Sequence, residues 1–253
     1  MGATIGIELE KKSNYFAAMV MRRNPLMDLR RMEGMEQALV IGASGGIGSA
    51  LLRALPAQRV IGLSRQHNGL DLLDEASIRR AVARLEGRFD AIIDATGALE
   101  IDGMVPEKAI GQINAQTMMR QFAVNAIGPA LLLKHLLPRL VRDRRAVFAS
   151  LSARVGSIGD NRLGGWISYR ASKAALNQII HTASVEMRRT HPHGICVALH
   201  PGTVETDLTR KYASRYPTVA PETAAENITR VINGLSVADT GGFFDWRGDR
   251  VPW

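Results

Sequence analysis

A chain of 253 residues, 46% of them apolar and 22% charged, is long enough for one large domain with a sizeable core. Its single cysteine, Cys196, excludes an intrachain disulfide and suits a reducing compartment, so a cytoplasmic location is expected. The net charge of +8 is spread thinly: Arg142, Arg144 and Arg145 form the tightest cluster, without the aromatic ladder that nucleic acid asks for.

No apolar run approaches the roughly 18 residues that span a bilayer. The chain therefore reads as soluble, with neither nucleic acid nor membrane as partner. Residues 1–36 fit poorly with the rest of the chain. Glu8 and Glu10 precede the short apolar run from Tyr15 to Met21, which argues against a signal or transit peptide. The segment reads as a poorly ordered extension, or alternatively as an arm that binds a partner or braces an oligomer. Met35 is a better start, and the domain is set at 37–253.

From there strand and helix alternate. Gln37 to Gly42 is an apolar strand that runs into Gly42-Ala43-Ser44-Gly45-Gly46-Ile47-Gly48, and Ser49 to Leu55 then reads as a helix ended by Pro56. A strand, a glycine turn and a helix form the setting in which backbone N–H groups cradle a pyrophosphate. Gly42, Ser44, Gly46, Ile47 and Gly48 are thus candidates for dinucleotide binding. Arg59 to Leu63 is the second strand. An acid at its end would hold a free ribose 2′-hydroxyl, whereas Arg65 accommodates a 2′-phosphate, which favours NADP over NAD. Asp71 and Leu72 follow, either at the adenine edge or at the approach to a helix for which Asp74 is a plausible N-cap.

Phe89 to Ala95 is a third strand, and the small residues after it, with Thr96 and Gly97, let a cofactor lie against the backbone. Ala115 to Leu137 is predicted to be largely helical. It contains Asn125, which inside an apolar helix needs polar partners, whether structural or functional. Arg145 to Leu151 is a strand leading into Ser152, and a glycine-rich loop, Gly159 to Gly165, precedes a helix running to about Arg189. Ile195 to Leu199 is the last central strand, with Cys196 packed inside it. Residues 203–220 are long and polar, as a substrate lid would be. A helix from Glu222 to Leu235 and a strand near Gly242 to Trp246 close the chain. The alternation predicts a single-domain Rossmann-type α/β fold, a doubly wound parallel sheet with helices on both faces and ligand beyond the strand C-termini. The histidines lack ligand spacing with Cys or carboxylate, so no metal site is expected.

Within the helix after the glycine-rich loop, Tyr169 and Lys173 are four residues apart and share one face. A phenol is a poor acid at neutral pH, and a nearby ammonium favours the phenolate. A tyrosine so placed can give a proton to a carbonyl oxygen as hydride arrives at carbon, or take one in reverse.

These residues resemble the short-chain dehydrogenase/reductase family from about residue 37 onward. The carrying residues are Gly42, Gly46 and Gly48, then Asn125, Tyr169 with Lys173, and Pro201-Gly202-x-Val204-x-Thr206. The run from Arg154 to Arg170 looks like the family's C-factor-like branch. The resemblance implies that Tyr169 is the proton donor or acceptor and that Lys173 lowers its pKa and hydrogen-bonds the nicotinamide ribose. Asn125 would hold a water in a proton relay through Lys173, and Thr206 and the Val204 backbone would orient the carboxamide, with Pro201 and Gly202 of the same motif also in the cofactor-binding set. A small carbonyl or alcohol is the implied substrate, and a homodimer or homotetramer the implied assembly.

Two departures stand out. Asp94-Ala95-Thr96-Gly97 replaces the family's Asn-Asn-Ala-Gly turn, and the usual place of the catalytic serine holds Ala153. Ser152, one residue earlier, is expected to point at the substrate oxygen, with Ser157 second and a serine-poor site as the alternative. Two functions compete: an NADP-dependent oxidoreductase, and a cofactor-binding regulatory or intercellular-signalling protein of the C-factor type with weak or no turnover.

Overall fold

The computed structural model describes residues 35–207, 209 and 217–253. Residues 1–34 of the expected extension lie outside the described residues, as do 208 and 210–216 of the segment read as a lid. Met35 and Glu36, assigned to that extension, belong to the fold instead. Asp90 Oδ2 accepts from the Glu36 N–H at 2.8 Å and the Gln37 N–H at 3.0 Å, and Met35 is buried.

Six strands form one all-parallel sheet: β1 (Gln37–Ile41), β2 (Arg59–Leu63), β3 (Ala91–Asp94), β4 (Ala146–Leu151), β5 (Gly194–His200) and β6 (Phe243–Asp245). Their order is β2-β1-β3-β4-β5-β6. Every residue of β3 and β4 is buried, the mark of strands covered on both faces, whereas edge strand β2 exposes Arg59. The order reverses at β1, so the crevice between the ends of β1 and β3 is the switch point where ligands bind in such sheets. Register brings the strand ends level. Ile41 pairs with Leu63 and Asp94, Asp94 with Ser150, and Leu151 with Leu199. The turns after these strands therefore open on one edge.

The α-helices among the described residues are α1 (Gly46–Ala54), α2 (Arg65–Asn68), α3 (Glu75–Ala83), α4 (Ala115–Phe122), α5 (Gly128–Leu136), α6 (Ile167–Met187) and α7 (Pro221–Gly234). Helix α1 packs with α7, α3 with α5, and α4 with α6. Leu39, Ile92, Phe148, Leu176 and Ile180 fill the core between helices and sheet. Asp74 caps α3 as its sequence position predicts, its Oδ1 accepting from the Ala76 N–H at 2.9 Å. Cys196 is packed inside β5, and burial pushes its thiol up to about 12.

The helix expected over Ala115 to Leu137 is not continuous. Ala123–Ile127 form a π turn between α4 and α5, with the buried Asn125 at its centre. A π turn is a single-turn feature inside an otherwise helical run, too short for hydrophobic periodicity to reveal it. No helix among the described residues is long and apolar enough to cross a membrane.

Candidate active site

The turn between β1 and α1 is shaped by what its glycines lack. Gly42 has φ +81°, and a β-carbon there would stand 2.9 Å from the Ala95 carbonyl oxygen. One on Gly48 would lie 2.1 Å from the Gly42 oxygen, and one on Gly46 2.7 Å from Thr206 Cγ2. The turn is thus pressed against the end of β3 on one side and against Thr206 on the other. Gly45, the N-cap of α1, offers no side-chain cap, so the first N–H groups of the helix face outward beside exposed Ser44 and half-buried Ile47. A pyrophosphate fits this cradle, because it needs backbone donors and the room that a β-carbon would fill.

Arg65 is not at a strand end; it is the first residue of α2, whose N-cap Ser64 accepts from the His67 N–H. The Arg65 side chain is exposed. Asp71 closes its own loop, Oδ1 accepting from the Leu73 N–H at 2.9 Å, and Leu72 packs against Gly128 at the start of α5. At the end of β3, Asp94 is fully buried. Its Oδ1 accepts from the Thr96 N–H and hydroxyl at 3.0 and 2.5 Å, and its Oδ2 from Ser150 Oγ at 2.7 Å. Burial raises its pKa against those hydrogen bonds and the charge of Lys173.

Gly97 is where the two ends of the chain's chemistry meet. A β-carbon on it would stand 3.1 Å from Lys173 Nζ and 3.2 Å from Asn125 Oδ1. Asn125 is held from both sides. Its Oδ1 accepts from the Ala98 N–H at 2.9 Å, while Nδ2 donates to the Ala98 carbonyl at 2.8 Å and to Gln121 Oε1 at 2.7 Å. Its side chain therefore pins the loop after β3 and leaves no amide proton for a water. Lys173 Nζ donates to the carbonyl of Leu151, the last residue of β4, at 2.9 Å.

Tyr169 lies one helical turn before Lys173 on α6 and is buried, its ring meeting Trp166 edge-on with centroids 6.2 Å apart. Among the described residues its hydroxyl has no hydrogen-bond partner. The downward pull expected from Lys173 on this phenol is opposed by its burial. Burial is the cause that acts, and it pushes the phenol well above its ordinary value. Burial also lowers Lys173 to about 8, with Asp94 opposing. A proton transfer that needs the Lys173 ammonium is thus expected to weaken as pH rises through about 8. The check is a pH profile of kcat/KM for reduction, with its falling limb near that value rather than near that of an exposed lysine.

The serines are placed differently from expectation. Ser152 Oγ donates to Asn177 Oδ1, one turn beyond Lys173, at 2.7 Å, and Ser157 Oγ donates to the Pro252 carbonyl at 2.5 Å. A hydroxyl has one proton, and both are committed inside the protein. Beyond β5, Gly202 has φ +86° and packs on Trp246 after Pro201, and the Val204 carbonyl accepts from the Thr209 hydroxyl. The Thr206 N–H donates to that same hydroxyl at 3.1 Å, its methyl lying against Gly46. Residues Glu107, Ser168 and Asn177 also belong to this neighbourhood and were not picked out from sequence. Their partners are 25 to 61 residues away, so no local pattern points to them; Asp94, by contrast, left a signal as a departure from the family turn.

A family model described as short chain dehydrogenase matches residues 67–217. The chain belongs to that family. It is accordingly an NAD(P)-dependent oxidoreductase. Among curated relatives, C-signal of Myxococcus xanthus is 37% identical over 146 residues, 57% of this chain and 84% of that protein. The 1-hydroxy-2-glutathionyl-2-methyl-3-butene dehydrogenase of Rhodococcus sp. strain AD45 is 29% identical over 238 residues, 87% of this chain and 100% of that one. Among solved structures, the NADPH-bound carbonyl reductase from chicken fatty liver matches with a TM-score of 0.76 and 27% identity, over 87% of this chain and 94% of that one. The carbonyl reductase Sniffer of D. melanogaster has the same fold, with a TM-score of 0.75 and 24% identity over 87% of this chain and 100% of that one.

Proposed function

We propose that the protein reduces a small aldehyde or ketone with NADPH, or oxidises the corresponding alcohol in reverse, with Tyr169 as the acid or base. The observation that carries this reading is the phenol itself, buried without a hydrogen-bond partner among the described residues, on the helix that brings Lys173 Nζ to Gly97. When bound, the nicotinamide supplies hydride to the carbonyl carbon. The carbonyl π electrons then move to oxygen, and the Tyr169 hydroxyl delivers the proton that neutralises it. Lys173 would hold positive charge beside that developing oxyanion, and Asn125, which fixes the backbone at Ala98, would help to shape the wall that the nicotinamide meets.

For the cofactor, Arg65 carries the preference: it is exposed, just past β2, and has no ion-pair partner among the described residues. Arg65→Glu is expected to raise KM for NADPH about tenfold or more, as loss of a charge-assisted hydrogen bond does, with little change for NADH. Equal effects on the two cofactors would remove Arg65 from the ribose end.

A second reading is favoured by a specific pair of observations. The chain is 37% identical to C-signal over 146 residues, and Ser152 is turned to Asn177. A cofactor-binding protein with little turnover is its content. NADPH oxidation across a panel of aldehydes and ketones decides between the two. Turnover establishes the reductase, and a folded, NADPH-binding protein that turns over none of them establishes the other.

A further inference from the structure

Helix α6 begins in an unusual way. Gly164, Gly165 and Trp166 have φ of +62°, +65° and +53°, three left-handed residues in a row. Glycine adopts that region freely, but Trp166 has a β-carbon, for which it is costly. Such a conformation persists only where neighbours over-determine it. Trp166 is also the N-cap of α6 and supplies no side-chain cap, so the first N–H groups of the helix need acceptors from elsewhere.

One residue meets both needs. Glu107, buried in the loop after β3, uses its carbonyl to accept the Trp166 N–H at 2.5 Å. Its Oε2 accepts the Ser168 N–H at 3.2 Å, and its Oε1 accepts from the Ser168 hydroxyl. From the other side Arg170 grips the two glycines, Nε donating to the Gly165 carbonyl at 2.9 Å and Nη2 to the Gly164 carbonyl at 3.0 Å. The next residue after Ser168 is Tyr169, and the ring of the strained Trp166 packs on its phenol. The loop that carries Glu107 is tied at its start as well, where Ala98 is held by Asn125 and the Leu99 carbonyl by Gln121 Nε2 at 2.8 Å.

We propose that Glu107 is a positioning residue of the reaction. Its backbone and carboxylate together latch the left-handed entry of α6 and so set where the Tyr169 phenol stands relative to Lys173 and Gly97. Glu107 acts through Trp166 and Ser168. The proposal rests on the reductase reading of Tyr169, and its test separates the two.

In the full chain, Glu107→Ala is expected to lower kcat by about tenfold to a hundredfold, the scale of a misplaced reacting group. NADPH Kd should stay within about twofold, because the glycine cradle is built by other segments. Glu107→Gln keeps an acceptor for the Ser168 N–H and is expected to recover most of the loss. Ser168→Ala leaves that backbone bond intact and should cost about threefold in kcat, which reads the latch even if Glu107→Ala does not fold. Amide hydrogen exchange in the protein without cofactor gives a readout that needs no turnover. Ser168 should be protected in the wild type and in Glu107→Gln and lose protection in Glu107→Ala, with Trp166, bonded to the backbone carbonyl that alanine keeps, as the internal reference. An unchanged kcat in Glu107→Ala, or in Ser168→Ala where the former is unfolded, overturns the proposal. So does a loss of kcat matched by an equal loss of NADPH affinity. A wild type that never turns over counts against the reductase reading and with it the role in positioning, while retained exchange differences would leave Glu107 a structural latch only.

Discussion

Tyr169→Phe is expected to lose turnover by about a hundredfold or more, the range that a positioned general acid contributes. The structure makes this substitution unusually clean. The ring would keep its burial and its edge contact with Trp166, and the hydroxyl it loses has no hydrogen-bond partner among the described residues. No group is left unsatisfied, so stability should change little. NADPH affinity should likewise hold within about twofold, since kcat alone falls when an interaction made in the transition state is removed. Steady-state reduction beside a fluorescence titration with NADPH measures both quantities. A variant that retains turnover would sink the acid/base role and with it the proposed mechanism.

The second large effect belongs to Gly48. An alanine β-carbon there would lie 2.1 Å from the Gly42 oxygen and 3.1 Å from Ala43 Cα, both backbone atoms that cannot swing aside. The turn must open or α1 must move, and either change separates the N–H groups proposed to hold the pyrophosphate. Gly48→Ala is therefore expected to weaken NADPH binding more than about tenfold and to destabilise the fold by about 2 kcal/mol, as overpacking does. Gly69→Ala is the matched control. That residue has φ +68° with nothing within 4 Å of an added β-carbon, so only backbone strain of about 1 kcal/mol is expected and no effect on binding. Thermal unfolding and NADPH titration of the pair distinguish the two causes. Equal behaviour of the two variants would mean that the cradle's close packing is not what holds the cofactor.

The site was legible in sequence to different depths. The Gly42–Gly48 turn and the Tyr169–Lys173 spacing are local patterns, and each falls where the alternation of strands predicts. Arg65, singled out in sequence as a strand-end residue, is presented by a short helix just past β2. Asn125 was recognised as a polar residue in need of partners, but its π turn and its grip on Ala98 were hidden. For the serine, spacing gave a position but not a direction. A shift of one residue along an extended strand end changes the direction of the side chain, and the Ser152 hydroxyl goes to Asn177. The electrostatics of Tyr169 were also beyond reach, because the expected charge effect of Lys173 competes with a burial that no local pattern reports.

By itself the sequence determined the parallel sheet, the glycine cradle, and which phenol and which lysine share a helix face. All of these follow from periodicity, chirality and spacing within one element or one turn. Only the tertiary structure decided that Thr206 closes on Gly46, that Asn125 holds Ala98 from 27 residues away, and that Glu107 reaches Ser168 across 61. The reason is physical: buried donors and acceptors take whichever partners the packed sheet and helices bring within about 3 Å, and chain separation does not enter that choice.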